Sequence, residues 1–167
     1  YGQQPYQIGL LHGGPVATGE MKPVAETLSK DFGVLECLQT EKSINRQIKE
    51  LHEQLASSAE MPVVLIGFSW GAWLGILFAS KYPNLVKKLI LISSGALESK
   101  YNENLMEIRL NRLSKSNREE AEKIIVTINS NNSDNETLKR FGELMTIADS
   151  FDYLSDENNS IEVNMEI

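Results

Sequence analysis

The stretch Pro62-Val63-Val64-Leu65-Ile66-Gly67-Phe68-Ser69-Trp70-Gly71-Ala72 decides the fold. Four apolar residues, Val63 to Ile66, stand between a proline and a glycine. Their unbroken hydrophobicity predicts a buried strand over Pro62–Gly67 of the kind found in parallel sheets. Behind the strand, Ala72–Lys81 is apolar nearly all round, which predicts a buried helix. Between the two, Gly67-Phe68-Ser69-Trp70-Gly71 fits the pattern Gly-x-Ser-x-Gly. Three fixed residues at ordinary usage match by chance in about one chain in twenty of this length, so the motif is weak by itself. Its setting strengthens it, because a strand enters it and a helix leaves it, as a nucleophile elbow requires. The serine of an elbow sits on a tight turn that lifts its Oγ above the sheet edge. Its crowded backbone demands small residues two positions away on either side, and Gly67 and Gly71 supply them. A helix starting at Trp70 aims its first N–H groups at negative charge developing there.

Strand and helix alternate on both sides of this stretch. Upstream, Gln7–Leu11 is a short apolar run that ends in His12-Gly13-Gly14-Pro15, a strand entering a loop. Met21–Lys30 is an amphipathic helix, Gly33–Leu38 a second strand, and Ser43–Ala56 a helix with Ser43 as its N-cap. Downstream, Val86–Ile92 is the next strand. The alternation predicts βαβ units on a parallel sheet. Beyond Tyr101, helices are expected at 101–114, 117–130 and 134–149, with no strong pattern from Phe151 onward.

Charge and composition change near Ser99–Tyr101. Residues 1–99 carry 8 basic and 9 acidic side chains, residues 100–167 carry 8 and 14, and only Gly142 represents glycine in the second part. This predicts a core over 1–99 followed by a helical appendage over 100–167. The whole chain of 167 residues has a formal charge of −7, which repels phosphate backbones and argues against a nucleic-acid partner. No apolar run reaches the roughly 18 residues of a membrane span. A single cysteine, Cys37, permits no internal disulfide, so a reducing, cytoplasmic setting is the expectation. Cys37 reads as a small buried hydrophobe. The Asn-x-Ser/Thr triplets at Asn131, Asn135 and Asn158 read as accidents of an Asn-rich segment.

The loop after the first strand supports two readings. It is either a plain Gly-rich turn or an oxyanion loop in which an N–H from this loop joins the N–H after the serine. Gly14 and Trp70 would then be the two donors, since Pro15 has no N–H. A phosphate loop is disfavoured. Gly14 to Gly19 has the right gap, but Glu20 stands where a lysine is needed.

These segments resemble the α/β-hydrolase superfamily in the order Tyr1-Gly2-Gln3-Gln4-Pro5, Leu10 to Pro15, Leu65 to Ala72, and Tyr82 to Ile92. The Ser-Trp-Gly triplet and the His-Gly-Gly-Pro loop are also similar to prolyl aminopeptidases, from which the loop departs at Val16, where a further glycine would be expected. The resemblance implies an α/β-hydrolase core with a helical cap after Gly95. It implies Ser69 as nucleophile, Gly14 and Trp70 as oxyanion donors, and no metal or cofactor. It also places the catalytic acid and histidine after the cap, and no histidine follows His52. The expectation is therefore a fragment, with the C-terminal part of the fold absent and little activity by itself. His12 is expected to be structural and His52 a surface or boundary histidine, neither of them the catalytic base, and Glu98 solvated. Trp70 could line a pocket or simply pack, while Trp73 is expected in the core. In the cap, Leu105, Ile108, Leu110 and Leu113 could face the active site, helix packing being the default. The complete protein is expected to hydrolyse a small carboxylic ester or amide, with homo-oligomerisation left open. The alternatives are a non-catalytic hydrolase-like binding protein and a nucleotide-binding domain.

Overall fold

The computed structural model describes residues 1–14, 19–130 and 132–152. Pro15 and Val16 of the loop, Asn131, and the triplet beginning at Asn158 lie outside the described residues. The chain forms two compact units, the first over Tyr1–Gly95 and the second beginning at Ala96.

The first unit contains β1 (Tyr6–Leu11), α1 (Lys22–Leu28), β2 (Gly33–Cys37), α2 (Ile44–Ser58), β3 (Ala59–Phe68), α3 (Trp70–Lys81) and β4 (Val86–Ile92). The four strands form one parallel sheet in the order β2-β1-β3-β4. β3 is longer than the apolar run predicts, because Ala59 already pairs with Tyr6. Ser43 does occupy the N-cap of α2, but its hydroxyl makes no cap bond.

Alternation along the strands sorts the core onto two faces. Ile8, Leu10, Val34 and Ile66 meet Met21 and Ala25 at α1. On the other face Leu11, Cys37, Val63 and Leu65 meet Ile48, Leu51 and Leu55 of α2 and Leu74 and Phe78 of α3. Helices therefore cover both faces, as a parallel sheet needs. The edge strand β4 is more open, with Ile90, Leu91 and Ile92 all exposed.

Strand order reverses between β1 and β3, since α1 leads from β1 to one neighbour and α2 crosses to the other. Leu11 aligns with both Cys37 and Gly67, and Phe68 aligns with Ile92. All four strands thus end level, and the segments after them leave the same sheet edge. In open α/β sheets the crevice at such a reversal is where ligands bind.

The second unit holds α4 (Leu105–Arg112), α5 (Lys115–Asn129) and α6 (Asn135–Asp149). The helix expected from residue 101 starts later, because Asn104 takes a left-handed backbone with φ 63°. Ser114 and Asp134 cap α5 and α6, accepting from the N–H groups of Asn117 and Thr137. Leu110, Leu113, Ala121, Leu144 and Ala148 form the core of this unit. Bidentate pairs join Arg109 to Asp149 and Arg140 to Glu120. Exposed pairs of this kind orient helices more than they stabilise them. Among the described residues no helix is long and apolar enough to cross a membrane.

Candidate active site

Ser69 lies between β3 and α3 with φ 51° and ψ −113°. That combination lies outside the regions L-residues favour, so the surrounding structure must hold it there. The grip comes from both sides. The Ser69 N–H donates to the Ile92 carbonyl at 2.9 Å, tying the turn to the end of β4. A Cβ on Gly67 would fall on the Gly71 carbonyl, and one on Gly71 would fall on the Leu11 carbonyl at the end of β1. The two glycines therefore let β3, α3 and β1 approach closely enough to form the turn. The Ser69 hydroxyl makes no cap bond to α3. Trp70 is the first helical residue, so its N–H has no acceptor inside the helix.

The loop after β1 is held by His12, which is fully buried. Its Nε2 accepts from the Gln39 N–H at 3.1 Å, so the ring proton sits on Nδ1. Nδ1–H then donates to the carbonyls of Gly13 and Gly14, each at 3.1 Å. The Gly13–Gly14 peptide is trans, so its N–H points opposite to its carbonyl. Pinning the Gly13 carbonyl to His12 thus turns the Gly14 N–H away from the buried ring. The Gly13 N–H, in turn, donates to Glu20 Oε2 at 2.7 Å. Among the described residues, neither the Gly14 N–H nor the Trp70 N–H has a protein acceptor.

The segment after β2 links this loop to the elbow. The Gln39 N–H meets His12, and the Thr40 and Glu41 N–H groups meet the Glu50 carboxylate. Gln47, buried on α2, donates through Nε2 to the Glu41 carbonyl at 2.8 Å and accepts from Trp70 Nε1–H at 3.1 Å. The Trp70 indole is therefore anchored on α2. Trp73 meets it edge-on and donates to the Gly95 carbonyl at 3.1 Å. Trp73 is half-buried rather than a core residue. Gln39 Oε1 is buried without a partner among the described residues. Neither Gln39 nor Gln47 stands out in the sequence, because a lone glutamine in a loop or between apolar helix positions reads as surface. Glu20 did carry a signal, but as a misfit to a phosphate loop.

The other candidates lie elsewhere. His52 stacks on Tyr82, with ring centroids 4.6 Å apart. Tyr82 follows the far end of α3, roughly 18 Å along the helix from Ser69 at 1.5 Å per residue. Glu98 belongs to the second unit and pairs with Lys100 at 2.7 Å. Leu110 and Leu113 are buried in the helical core, whereas Ile108 is exposed. Cys37 is buried, and desolvation pushes its thiol up to about 12, with the Glu36 charge adding to the shift. No cluster of His, Cys, Asp or Glu among the described residues could hold a metal ion.

Comparison with known proteins bears on this geometry. Solved structures share the fold. VinJ aligns with a TM-score of 0.64 at 19% identity, over 87% of this chain and 52% of its own. An epoxide hydrolase from Bacillus megaterium aligns with a TM-score of 0.52 at 19% identity, over 86% and 52%. A probable hydrolytic enzyme from Pseudomonas aeruginosa aligns at 0.50 with 17% identity, over 86% and 51%. The chain thus spans about half the length of these relatives. No curated protein sequence matches it. The family model described as alpha/beta hydrolase fold matches residues 38–127, more than half of the chain and inclusive of the whole elbow. With a parallel sheet reversing at β1 and β3 and a strained Ser69 between β3 and α3, the chain belongs to the α/β-hydrolase fold family.

Proposed function

We propose that the chain carries the nucleophile and oxyanion hole of a serine hydrolase that acts on a carboxylic ester or amide. The observation behind this reading is Ser69. Its backbone is held at φ 51° at the end of a central strand, with its hydroxyl not used for capping. Structures do not maintain such strain at an ordinary turn when a glycine would relieve it.

In the proposed reaction, Ser69 Oγ attacks the substrate carbonyl carbon. The N–H groups of Gly14 and Trp70 receive the oxyanion. Collapse of the tetrahedral species expels the alcohol or amine, and water then releases the acid from Ser69. A serine hydroxyl needs a base to take its proton. Neither histidine of the chain is suited to that task. Both ring nitrogens of His12 are engaged in the loop, and His52 sits at the far end of α3. On this reading the base comes from outside these 167 residues. The chain by itself is nearly inert, since removal of a triad member costs several orders of magnitude in rate.

The same occupied histidines favour a second reading, a hydrolase-like protein that binds a ligand without turning it over. Hydrolysis of a short p-nitrophenyl ester separates the two. The proteins to compare are this chain, the complete gene product, and the complete product with Ser69→Ala. Activity in the intact complete protein alone supports the hydrolase. Activity of the isolated chain above its own Ser69→Ala control would overturn the assignment of the missing base. An inert complete protein would favour the binding role.

A further inference from the structure

We propose that Glu20 is a positioning residue for the oxyanion loop, setting the direction of the Gly14 N–H by holding the peptide before it. This rests on the hydrolase reading and extends it to a residue outside the elbow and the loop motif.

The geometry is that of a two-sided clamp on one glycine. The peptide before Gly13 is fixed through its N–H, which donates to Glu20 Oε2 at 2.7 Å. The peptide after Gly13 is fixed through its carbonyl, which accepts from His12 Nδ1–H at 3.1 Å. Fixing both planes fixes φ and ψ of Gly13, and with them the orientation of the Gly14 N–H. The two bonds matter here because glycine has no Cβ to restrict its own torsions. Its lack of a Cβ is itself part of the clamp. A Cβ there would lie 2.7 Å from Glu20 Oε2 and 2.9 Å from the Phe68 ring. Phe68 immediately precedes Ser69, so the clamp also packs against the elbow.

A carboxylate suits this task. Its bond to an amide is charge-assisted, shorter and about twice as strong as a neutral one. By occupying the Gly13 N–H it also leaves the Gly14 N–H as the donor facing the crevice. Glu20 is half-buried, and desolvation holds its carboxyl above the ordinary carboxylate range. The Gly13 N–H opposes that rise. Protonation consequently sets in closer to neutral pH than for a solvated glutamate, and it weakens the clamp.

The test joins an amide spectrum of this chain to the kinetics of the complete protein. By NMR, the Gly13 amide proton is expected downfield, to titrate together with the Glu20 carboxyl, and to move upfield in Glu20→Ala. In the complete protein, Glu20→Ala is expected to lower kcat for the p-nitrophenyl ester by roughly ten- to a hundredfold with KM little changed, as for a misplaced oxyanion donor. Glu20→Gln keeps an acceptor for the Gly13 N–H, so it should recover most of kcat, while the Gly13 amide shift should no longer titrate with a carboxyl at position 20. An unchanged kcat in Glu20→Ala would overturn the proposal. So would an equal loss in Glu20→Ala and Glu20→Gln accompanied by a fall in Tm, which marks a role in folding only. If the complete protein shows no Ser69-dependent hydrolysis, the hydrolase reading fails and the catalytic role of Glu20 with it. The Gly13 titration then still decides whether Glu20 holds the loop.

Discussion

Replacing Ser69 with glycine should make the protein more stable while removing the hydroxyl of the proposed nucleophile. The backbone at Ser69, φ 51° and ψ −113°, is one that a side chain disfavours. Non-glycine residues held in such regions cost about 1–3 kcal/mol. Glycine adopts them freely but gives back about 0.5–1 kcal/mol through the greater entropy of its unfolded chain. The difference leaves a net gain of about 1 kcal/mol for Ser69→Gly. For a unit of this size that corresponds to a rise in Tm of roughly 4–8 °C. The control is Ser69→Ala, which also lacks the hydroxyl but keeps the Cβ and thus the strain. Urea and thermal unfolding of the three chains, followed by circular dichroism, measure the difference. The order expected is glycine above alanine, with alanine close to the parent. If Ser69→Gly proves no more stable than Ser69→Ala, the turn is not strained and the inference from its backbone fails.

Other perturbations probe the supports of the site. Gly71→Ala should destabilise by about 2 kcal/mol or more despite a gain of about 1 kcal/mol in helix propensity, because its Cβ would meet the Leu11 and His12 carbonyls; denaturant midpoints measure this. Gln47→Leu leaves the Trp70 indole N–H and the Glu41 carbonyl without partners, an expected loss of about 1–3 kcal/mol visible by unfolding and by a change in tryptophan emission. Phe78→Ala removes a fully buried ring between α3 and the sheet and should destabilise by about 3–5 kcal/mol, enough to unfold a marginal domain at 37 °C. Cys37, with its thiol pushed up to about 12, should resist a disulfide reagent at pH 8 in the folded chain and react once urea unfolds it.

How much of this the sequence reveals depends on how local the cause is. The strand–turn–helix at Ser69 is legible because its determinants are adjacent: an apolar run, two glycines around a serine, and an apolar helix. The parallel sheet is legible from alternating elements, since each apolar segment can be buried only against a neighbour. The strand order is not written in any one segment, because it depends on which faces of α1 and α2 find cover. The clamp on the loop is hidden for a related reason. His12 and Gln39 meet only once β1 and β2 lie side by side, Glu20 reaches back seven positions to the Gly13 N–H, and Gln47 reaches Trp70 across 23 positions of chain. The late start of α4 shows local backbone overriding an apolar pattern, with Asn104 turning left-handed where the periodicity runs on.

The central claim is that Ser69 becomes an activated nucleophile in the complete protein. The direct measurement is to treat that protein with a serine-reactive fluorophosphonate and locate the adduct by peptide mass spectrometry. The account predicts a single adduct on the peptide containing Ser69, lost in Ser69→Ala and absent when this chain is treated alone. A complete, folded protein that hydrolyses the ester but carries its adduct on another residue, or none at all, would contradict it.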